Sequence, residues 1–341
     1  MNFVQILTQL LDRRDLAHAD MLALMQDLMS GALTPVQIAA VLIALRSKGE
    51  SVTEIAAAAT VMRALSTRVA ISDDAHLIDT CGTGGDGAQT FNISTASAIV
   101  AAAAGAKVAK HGGRSVSSTC GSADILEKLG VNVNLTPAQV AACVAQIGVG
   151  FMFAPNHHSA MKYAAPVRRE LGVRTLFNLL GPLTNPAGAK NQVMGVFARE
   201  LTGTLAAVLQ QLGSQHVLVV HGADGMDEIT LSGVTYIAEL KNNTVREYTV
   251  QPADFGLAIA MQDQIRVANA DEAQAMLLSV LDNQAGAARD IVLMNAGAAI
   301  YVAGLSDSLH DGVAKARDVI ASGAAKAKLA ELVHISHSTL A

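Results

Sequence analysis

Hydrophobic positions in the first 66 residues recur at the three- and four-residue spacing of helix faces, and no stretch alternates as a half-buried strand would. FVQILTQLLDR places Phe3, Ile6, Leu7, Leu10 and Leu11 on one face, and MLALMQDLM continues in the same style up to Ser30 and Gly31. Thr34 followed by Pro35 is an N-cap with proline at the first helical position, so a helix is expected over VQIAAVLIALRSKG. Ser51 marks a further start, ahead of TEIAAAATVMRAL. A helical domain over residues 1–70 is the expectation.

From about residue 75 the pattern changes. Short apolar runs, HLIDTC (76–81), AKVAK (106–110), VNVNL (131–135) and VGFMFA (149–154), alternate with longer helical patterns, the mark of a parallel sheet with crossover helices. NQVMGVFA (191–198) and HVLVVHG (216–222) predict two more strands. VTYIAEL and TVREYTV, joined by Asn242 and Asn243, read as a hairpin. Long helices follow, among them ARDIVLMNAGAAIYVA. The fold class is α/β: a small all-helical domain plus a larger α/β domain with a mostly parallel central sheet.

Composition narrows the partners. With 51% hydrophobic and 16% charged residues, the 341-residue chain is a packed globular protein with room for about two domains. Its 24 basic residues against 29 acidic ones, a net charge of −5, argue against nucleic acid or an anionic membrane as the main partner. The three cysteines, Cys81, Cys120 and Cys143, have no CxxC spacing, which suits a reduced, cytoplasmic protein. The start MNFVQILTQLLDRRD lacks the basic stretch and small-residue cleavage site of a signal peptide. The most apolar run, residues 93–109, is too short to span a membrane.

Candidate chemistry begins at residues 79–95, DTCGTGGDGAQTFNIST. The segment lies between a predicted strand, HLIDTC, and a predicted helix, STASAIVAAAAG, with Ser94 or Thr95 as the expected cap. At such a junction unpaired N–H groups and the helix dipole, roughly half an elementary charge, attract anions. Glycines let the backbone wrap closely around a phosphate. The loop is neither a Walker A motif nor a GxGxxG fingerprint, and a plain tight turn would use the same residues. Asp86 would repel a bare phosphate, so with Asn92 and Ser94 beside it the loop suits a sugar phosphate.

A second cluster, KHGGRSVSSTCGSAD (110–124), follows the strand AKVAK and sets Lys110, His111 and Arg114 at a strand's C-terminal end, where α/β proteins bind ligands. A polar surface loop is the alternative. In a third, HGADGMDEIT (221–230), Asp227 and Glu228 adjoin in a loop. They are either solvated charges or hard oxygen ligands for Mg²⁺ shared with substrate phosphates. Two phosphate loops on an acidic protein favour the cation.

These motifs, in this order and with FAPNHHSAMKYAAPVRRELGVRTLFNLLGPLTNPA (153–187) between the second and third, resemble the anthranilate phosphoribosyltransferases essentially end to end. The resemblance implies a homodimer, joined through the helical domain, that transfers the phosphoribosyl group of phosphoribosyl pyrophosphate (PRPP) to the amine of anthranilate in tryptophan biosynthesis, with Mg²⁺ as cofactor. It also implies that residues 160–185 return to the helical domain, leaving 71–159 and 186–341 as the α/β phosphoribosyl-binding domain.

By resemblance, PRPP contacts fall on Gly82, Gly85, Asp86, Thr90, Asn92, Ile93, Ser94 and Thr95 of the first motif. Those of the second are Lys110, His111, Gly112, Gly113, Arg114, Ser115, Val116, Ser117, Ser118 and Ser122. Metal ligands fall on Ser94, Asp227 and Glu228. The anthranilate site falls on Gly82, His111, Gly113, His158 and Arg168, and catalytic roles on Lys110, His111 and Arg168. One departure from the family matters: Gly113 stands where asparagine is usual, with two smaller changes nearby at Thr119 and Cys120, where lysine or serine is common. Arg168 also suits a carboxylate on chemical grounds, through a bidentate fork, although an ion pair with Glu170 is the plain alternative. A pyrimidine nucleoside phosphorylase-like enzyme and a non-catalytic nucleic-acid-binding relative are the rivals. The first would lack the acid pair, and the second would carry a basic face.

Overall fold

The computed structural model describes residues 2–114 and 120–338. The chain opens with four helices, α1 (Phe3–Leu11), α2 (His18–Ser30), α3 (Pro35–Lys48) and α4 (Val52–Leu65). Their starts are set by side chains: Asn2, Thr34 and Ser51 each accept a hydrogen bond from the third residue of the helix they open. Met21, Leu24, Met25, Leu28 and Met29 of α2 are buried against α4 and its neighbours.

An α/β region follows, with β1 (Leu77–Gly82), α5 (Ile93–Ala103), β2 (Lys107–Gly112), α6 (Ser122–Lys128), α7 (Pro137–Ile147), β3 (Val149–Phe153) and α8 (Ala154–His157). The chain then passes through a 3₁₀ turn at Ser159–Tyr163, α9 (Ala165–Leu171) and α10 (Phe177–Leu183). Ala164, Val167, Leu176 and Phe177 from this stretch share a core with α1–α4. It continues as β4 (Asn191–Gly195), α11 (Leu201–Gln211), β5 (His216–Gly222), β6 (Thr235–Lys241) and β7 (Thr244–Val250). The last helices are α12 (Ala270–Leu281), α13 (Ala287–Val302), α14 (Leu309–Ala321) and α15 (Ala324–His337).

Among the described residues the strands form one sheet in the order β3-β2-β1-β4-β5-β6-β7, parallel as far as β5 and antiparallel beyond it. The β6–β7 turn is made by Asn242 and Asn243 at φ 51° and 56°, the left-handed pair that a tight hairpin requires. The predicted strand at VNVNL does not form. Val131, Val133 and Leu135 are buried on alternate positions, as in a strand. Asn132, however, spends its backbone N–H and its side-chain amide on Ser336 of α15, so no strand edge is available to the segment. The helix after the glycine loop also begins earlier than expected. Asn92 is its cap, while Ser94 and Thr95 lie in its first turn.

Helix α13 is buried from Ile291 to Val302 and crosses α14 at close quarters. A Cβ on Gly312 would come within 2.2 Å of the Gly297 carbonyl oxygen. The neighbour is backbone and no rotamer change relieves the clash. Gly312→Ala is therefore expected to destabilise the fold by about 1–3 kcal/mol, despite alanine's better helix propensity. Urea unfolding checks this; an unchanged midpoint would mean the two helices slide apart freely.

Candidate active site

The chain runs outward from β1 through β2 to β3, then returns to lay β4 on the other side of β1. That reversal leaves a crevice beyond the C-terminal ends of β1 and β4, where open α/β sheets bind ligands. The two strands end there on paired glycines, Gly82 opposite Gly195. Asp227, from the β5–β6 loop, fills the space they leave: a Cβ on Gly82 would lie 2.3 Å from its Oδ2, and one on Gly195 only 1.5 Å from its carbonyl oxygen.

The glycine loop closes around this carboxylate. Gly84, Gly85 and Gly87 take positive φ values of 66°, 78° and 74°. The Gly84 N–H donates to Asp227 Oδ2 at 2.8 Å, and the Asp227 N–H approaches Asp86 Oδ2 at 3.4 Å. Burial, then Asp86, pushes the Asp227 carboxyl up to about 7. Glu228 is pushed well above its usual range by burial first and Asp227 second, with Lys110 and, more weakly, the Ser94 amide at the positive end of α5 working the other way. Far along the loop, Phe91 and Val267 donate backbone bonds that tie it to residues 265–267, and Thr90 bridges Arg266.

Lys110, 3% exposed at the end of β2, joins the two motifs. Its Nζ donates to the Thr80 carbonyl at 2.5 Å and to Ser94 Oγ at 3.2 Å. Burial lowers its pKa, and Asp79, Cys81, Glu228 and Asp227 oppose that shift. Thr95 is buried and donates to Ser122 Oγ at 3.2 Å, linking the first turns of α5 and α6. The Asn92 side chain donates to the Cys120 carbonyl at 2.9 Å, and Ile93 is buried in the core. Gly112 packs against Phe151 and Ser122, whereas a Cβ on Gly113 would meet nothing within 4 Å. Arg114 is engaged elsewhere: its guanidinium donates to Asp124 at 2.8 Å and Glu127 at 2.6 Å, above the Phe153 ring. Ser115, Val116, Ser117, Ser118 and Thr119 lie outside the described residues.

A second group faces the helical side. The His111 and His158 rings meet edge to face with centroids 5.1 Å apart. Burial holds both imidazoles neutral, at about 3 and about 4 respectively. Nε2 of each is buried without a hydrogen-bond partner, as is Nε2 of His157. The neighbouring His157 Nδ1 pairs with the Thr67 carbonyl, which places it in the structural link to the helices. Arg168, half-buried on α9, lies 5.3 Å from the Phe177 ring, and no ion pair with Glu170 forms among the described residues.

Three residues contribute that sequence reasoning passed over. Asp79, fully buried in β1, accepts the His111 backbone N–H at 3.1 Å; a carboxylate inside the apolar run HLIDTC was the available signal. Gly195 and Arg174 carried none. The cysteines offer no nucleophile: burial raises the Cys81 thiol well above its usual range, and its Sγ accepts from Gln192 Nε2.

Among the described residues no three His, Cys, Asp or Glu side chains form a ready-made metal cluster. Asp227 and Glu228, adjacent and both pushed up by burial, nevertheless fit a divalent cation. Buried acids forced towards neutrality beside one another are what such an ion relieves.

An α/β sheet with a glycine-rich crevice, joined to a helical bundle, is the domain pairing of a class of glycosyl transferases. The family described as "Glycosyl transferase family, a/b domain" matches residues 74–326, and its helical bundle domain matches residues 4–66. Over 341 residues and the full length of both chains, the sequence is 60% identical to the anthranilate phosphoribosyltransferase of Nitrosomonas europaea. It is 63% identical to that of Thiobacillus denitrificans over 97% of each chain. The structure superposes on the Thermus thermophilus enzyme with a TM-score of 0.92 at 41% identity, over 98% of this chain and 99% of that one. On the Saccharomyces cerevisiae enzyme in complex with PRPP and Mg the TM-score is 0.87 at 26% identity, over 98% and 97%. The chain belongs to the anthranilate phosphoribosyltransferase family.

Proposed function

We propose that the protein joins the 5-phosphoribosyl group of PRPP to the amine of anthranilate, giving N-(5-phosphoribosyl)anthranilate and pyrophosphate in tryptophan biosynthesis. The observation that carries this reading is the meeting of glycine-loop amides, Lys110 and the buried acids at one switch point of the sheet. The C1–N bond forms as the C1–O bond to pyrophosphate breaks, and the amine gives up one proton to water or to the departing pyrophosphate. Loop amides and Lys110 oppose the charge that grows on the leaving group. Ser94, Asp227 and Glu228 would hold Mg²⁺, which supplies further neutralisation of the diphosphate when bound.

An aromatic amine is already neutral near pH 7, so positioning matters more than a strong base. The neutral imidazoles of His111 and His158, each with an unpaired buried nitrogen, supply hydrogen-bond partners beside the acceptor. Arg168 offers its guanidinium fork to the acceptor's carboxylate. Gly113 leaves open backbone on the acceptor side, where Gly82 also lies with the Asp227 carboxylate against it, and the remaining motif residues, Gly85, Asp86, Thr90, Asn92, Thr95, Gly112 and Ser122, frame the donor.

The assembly we propose is a homodimer through the helical unit of residues 1–70 and 160–185. Val4 and Leu11 on α1 and Val36 on α3 are 68–79% exposed, on helices that pack together. A cytoplasmic setting suits the three free cysteines, and no described helix is long and apolar enough to cross a membrane.

The test is loss of anthranilate fluorescence that requires both PRPP and Mg²⁺; phosphorolysis of uridine in its place would overturn the reading. In the same assay Arg168→Ala should raise the KM for anthranilate about 10- to 100-fold, the worth of a charge-assisted contact. The KM for PRPP should stay within about twofold. Equal damage to both removes Arg168 from the acceptor site.

A further inference from the structure

The donor loop and the acceptor helix are joined by an arginine that the reaction as described leaves unused. Arg174 lies between Gly172, the left-handed cap of α9, and the start of α10. Its Nη2 donates to the Gly85 carbonyl, and its guanidinium lies 4.2 Å from the centre of the Phe197 ring. Phe197 is itself held to the loop, its N–H donating to Thr83 Oγ1 at 3.1 Å. A Cβ on Gly85 would sit 3.6 Å from Arg174 Nε and 3.7 Å from Nη2, so the planar group packs against bare loop backbone.

The other end of the same short stretch is equally anchored. Arg168 precedes Arg174 by six residues, and Phe177, three residues beyond it, is buried in the helical core beneath the Arg168 guanidinium. The segment thus carries one arginine against the Phe177 ring and another against the loop carbonyl at Gly85.

We propose that Arg174 is a positioning residue for the transfer, strapping the donor loop at Gly85 to the segment that holds Arg168. The inference rests on reading the glycine loop as the PRPP site. Three glycines at positive φ make the loop costly to order, because each has a wide conformational range to lose. A strap that holds the loop before substrate arrives removes part of that loss from binding. It also couples loop order to the placement of the acceptor arginine.

Arg174 is exposed, so its replacement leaves the core intact. Arg174→Ala is expected to raise the KM for PRPP about tenfold, with kcat within about threefold of the parent. The KM for anthranilate should rise in parallel, and the backbone amides of residues 84–87 should exchange hydrogen faster in the substrate-free protein. Arg174→Lys keeps a donor for Gly85 but loses the fork and most of the ring stacking, and should recover part of the PRPP affinity. An unchanged KM for PRPP overturns the proposal, as does a fall confined to kcat or unchanged exchange at the loop amides. A parent enzyme that failed to join the two substrates would remove the proposed function instead, while amide exchange would still decide whether the strap exists.

Discussion

Replacing Asp227 with asparagine and Glu228 with glutamine together is expected to lower kcat/KM by at least about 10³-fold, and to stabilise the protein when no metal is present. The amides keep the shape, and the side chain introduced by Asp227→Asn retains an oxygen to accept the Gly84 N–H. They remove the charges that would hold the cation, whose neutralisation of a leaving diphosphate is worth several kcal/mol. The stability effect has the opposite sign, for a definite reason. Both acids have folded pKa values above their unfolded ones, Asp227 at about 7, because burial and neighbouring carboxylates disfavour their charge. Such groups contribute stability that is complete below the unfolded pKa near 4 and is lost as pH rises through the folded value. The parent should therefore lose stability relative to the variant from about pH 4 to 7 through Asp227, and further as pH rises through the raised range of Glu228. Above that window the variant should melt higher in metal-free buffer, whereas Mg²⁺ with PRPP should raise the melting temperature of the parent alone. Thermal melts at pH 5 and pH 8, with and without the ligands, check both halves. A variant that keeps a tenth of the activity takes these acids out of the site.

Much of this arrangement was legible in the chain because its signals are local. Thr34-Pro35 and Ser51 announce helix starts with residues that satisfy their own orphan N–H groups, and both caps form. The glycines of GTGGDG, between an apolar run and an alanine-rich helix, mark a backbone that must turn through positive φ, as it does at Gly84, Gly85 and Gly87. VNVNL failed for a reason outside its own pattern. Alternating burial suits a strand, but strands need an edge, and Asn132 gives its polar groups to a helix about two hundred residues further on. The cap of α5 falls at Asn92 because Ser94 and Thr95, which resemble caps, have their hydroxyls engaged by Lys110 of β2 and Ser122 of α6.

What escaped the sequence is long-range in the same sense. Arg174 follows Val173 in the stretch LGVRTLF with no pattern of its own, and its partner carbonyl is 89 residues away. Arg114 stood out as a cation beside a phosphate loop, yet two acids on the following helix already hold it. A motif thus identifies residue types near a site but not which of them are already engaged by neighbours.

Gly195 is the sharpest instance, and Gly195→Ala should abolish activity almost as completely as removing the acids. The residue ends β4 as one glycine among many, and nothing in NQVMGVFA distinguishes it. In the fold a Cβ there would lie 1.5 Å from the carbonyl oxygen and 2.4 Å from the carbonyl carbon of Asp227. Those are backbone atoms, so the methyl group must push the whole β5–β6 loop away from the crevice and carry Asp227 and Glu228 with it. Gly82→Ala meets the same residue differently. Its Cβ would lie 2.3 Å from Asp227 Oδ2, the end of a side chain that can swing aside by giving up the Gly84 N–H. The expected order is therefore a fall of about 10³-fold for Gly195→Ala and a smaller one, about 10-fold to 100-fold, for Gly82→Ala, since a misplaced catalytic group costs about as much as a missing one. Steady-state rates, with the Mg²⁺–PRPP shift in melting temperature as a second readout, separate the two. Near-parent activity in Gly195→Ala would mean that the acid loop is not seated on the end of β4, and the geometry from which the transfer is argued would have to be abandoned.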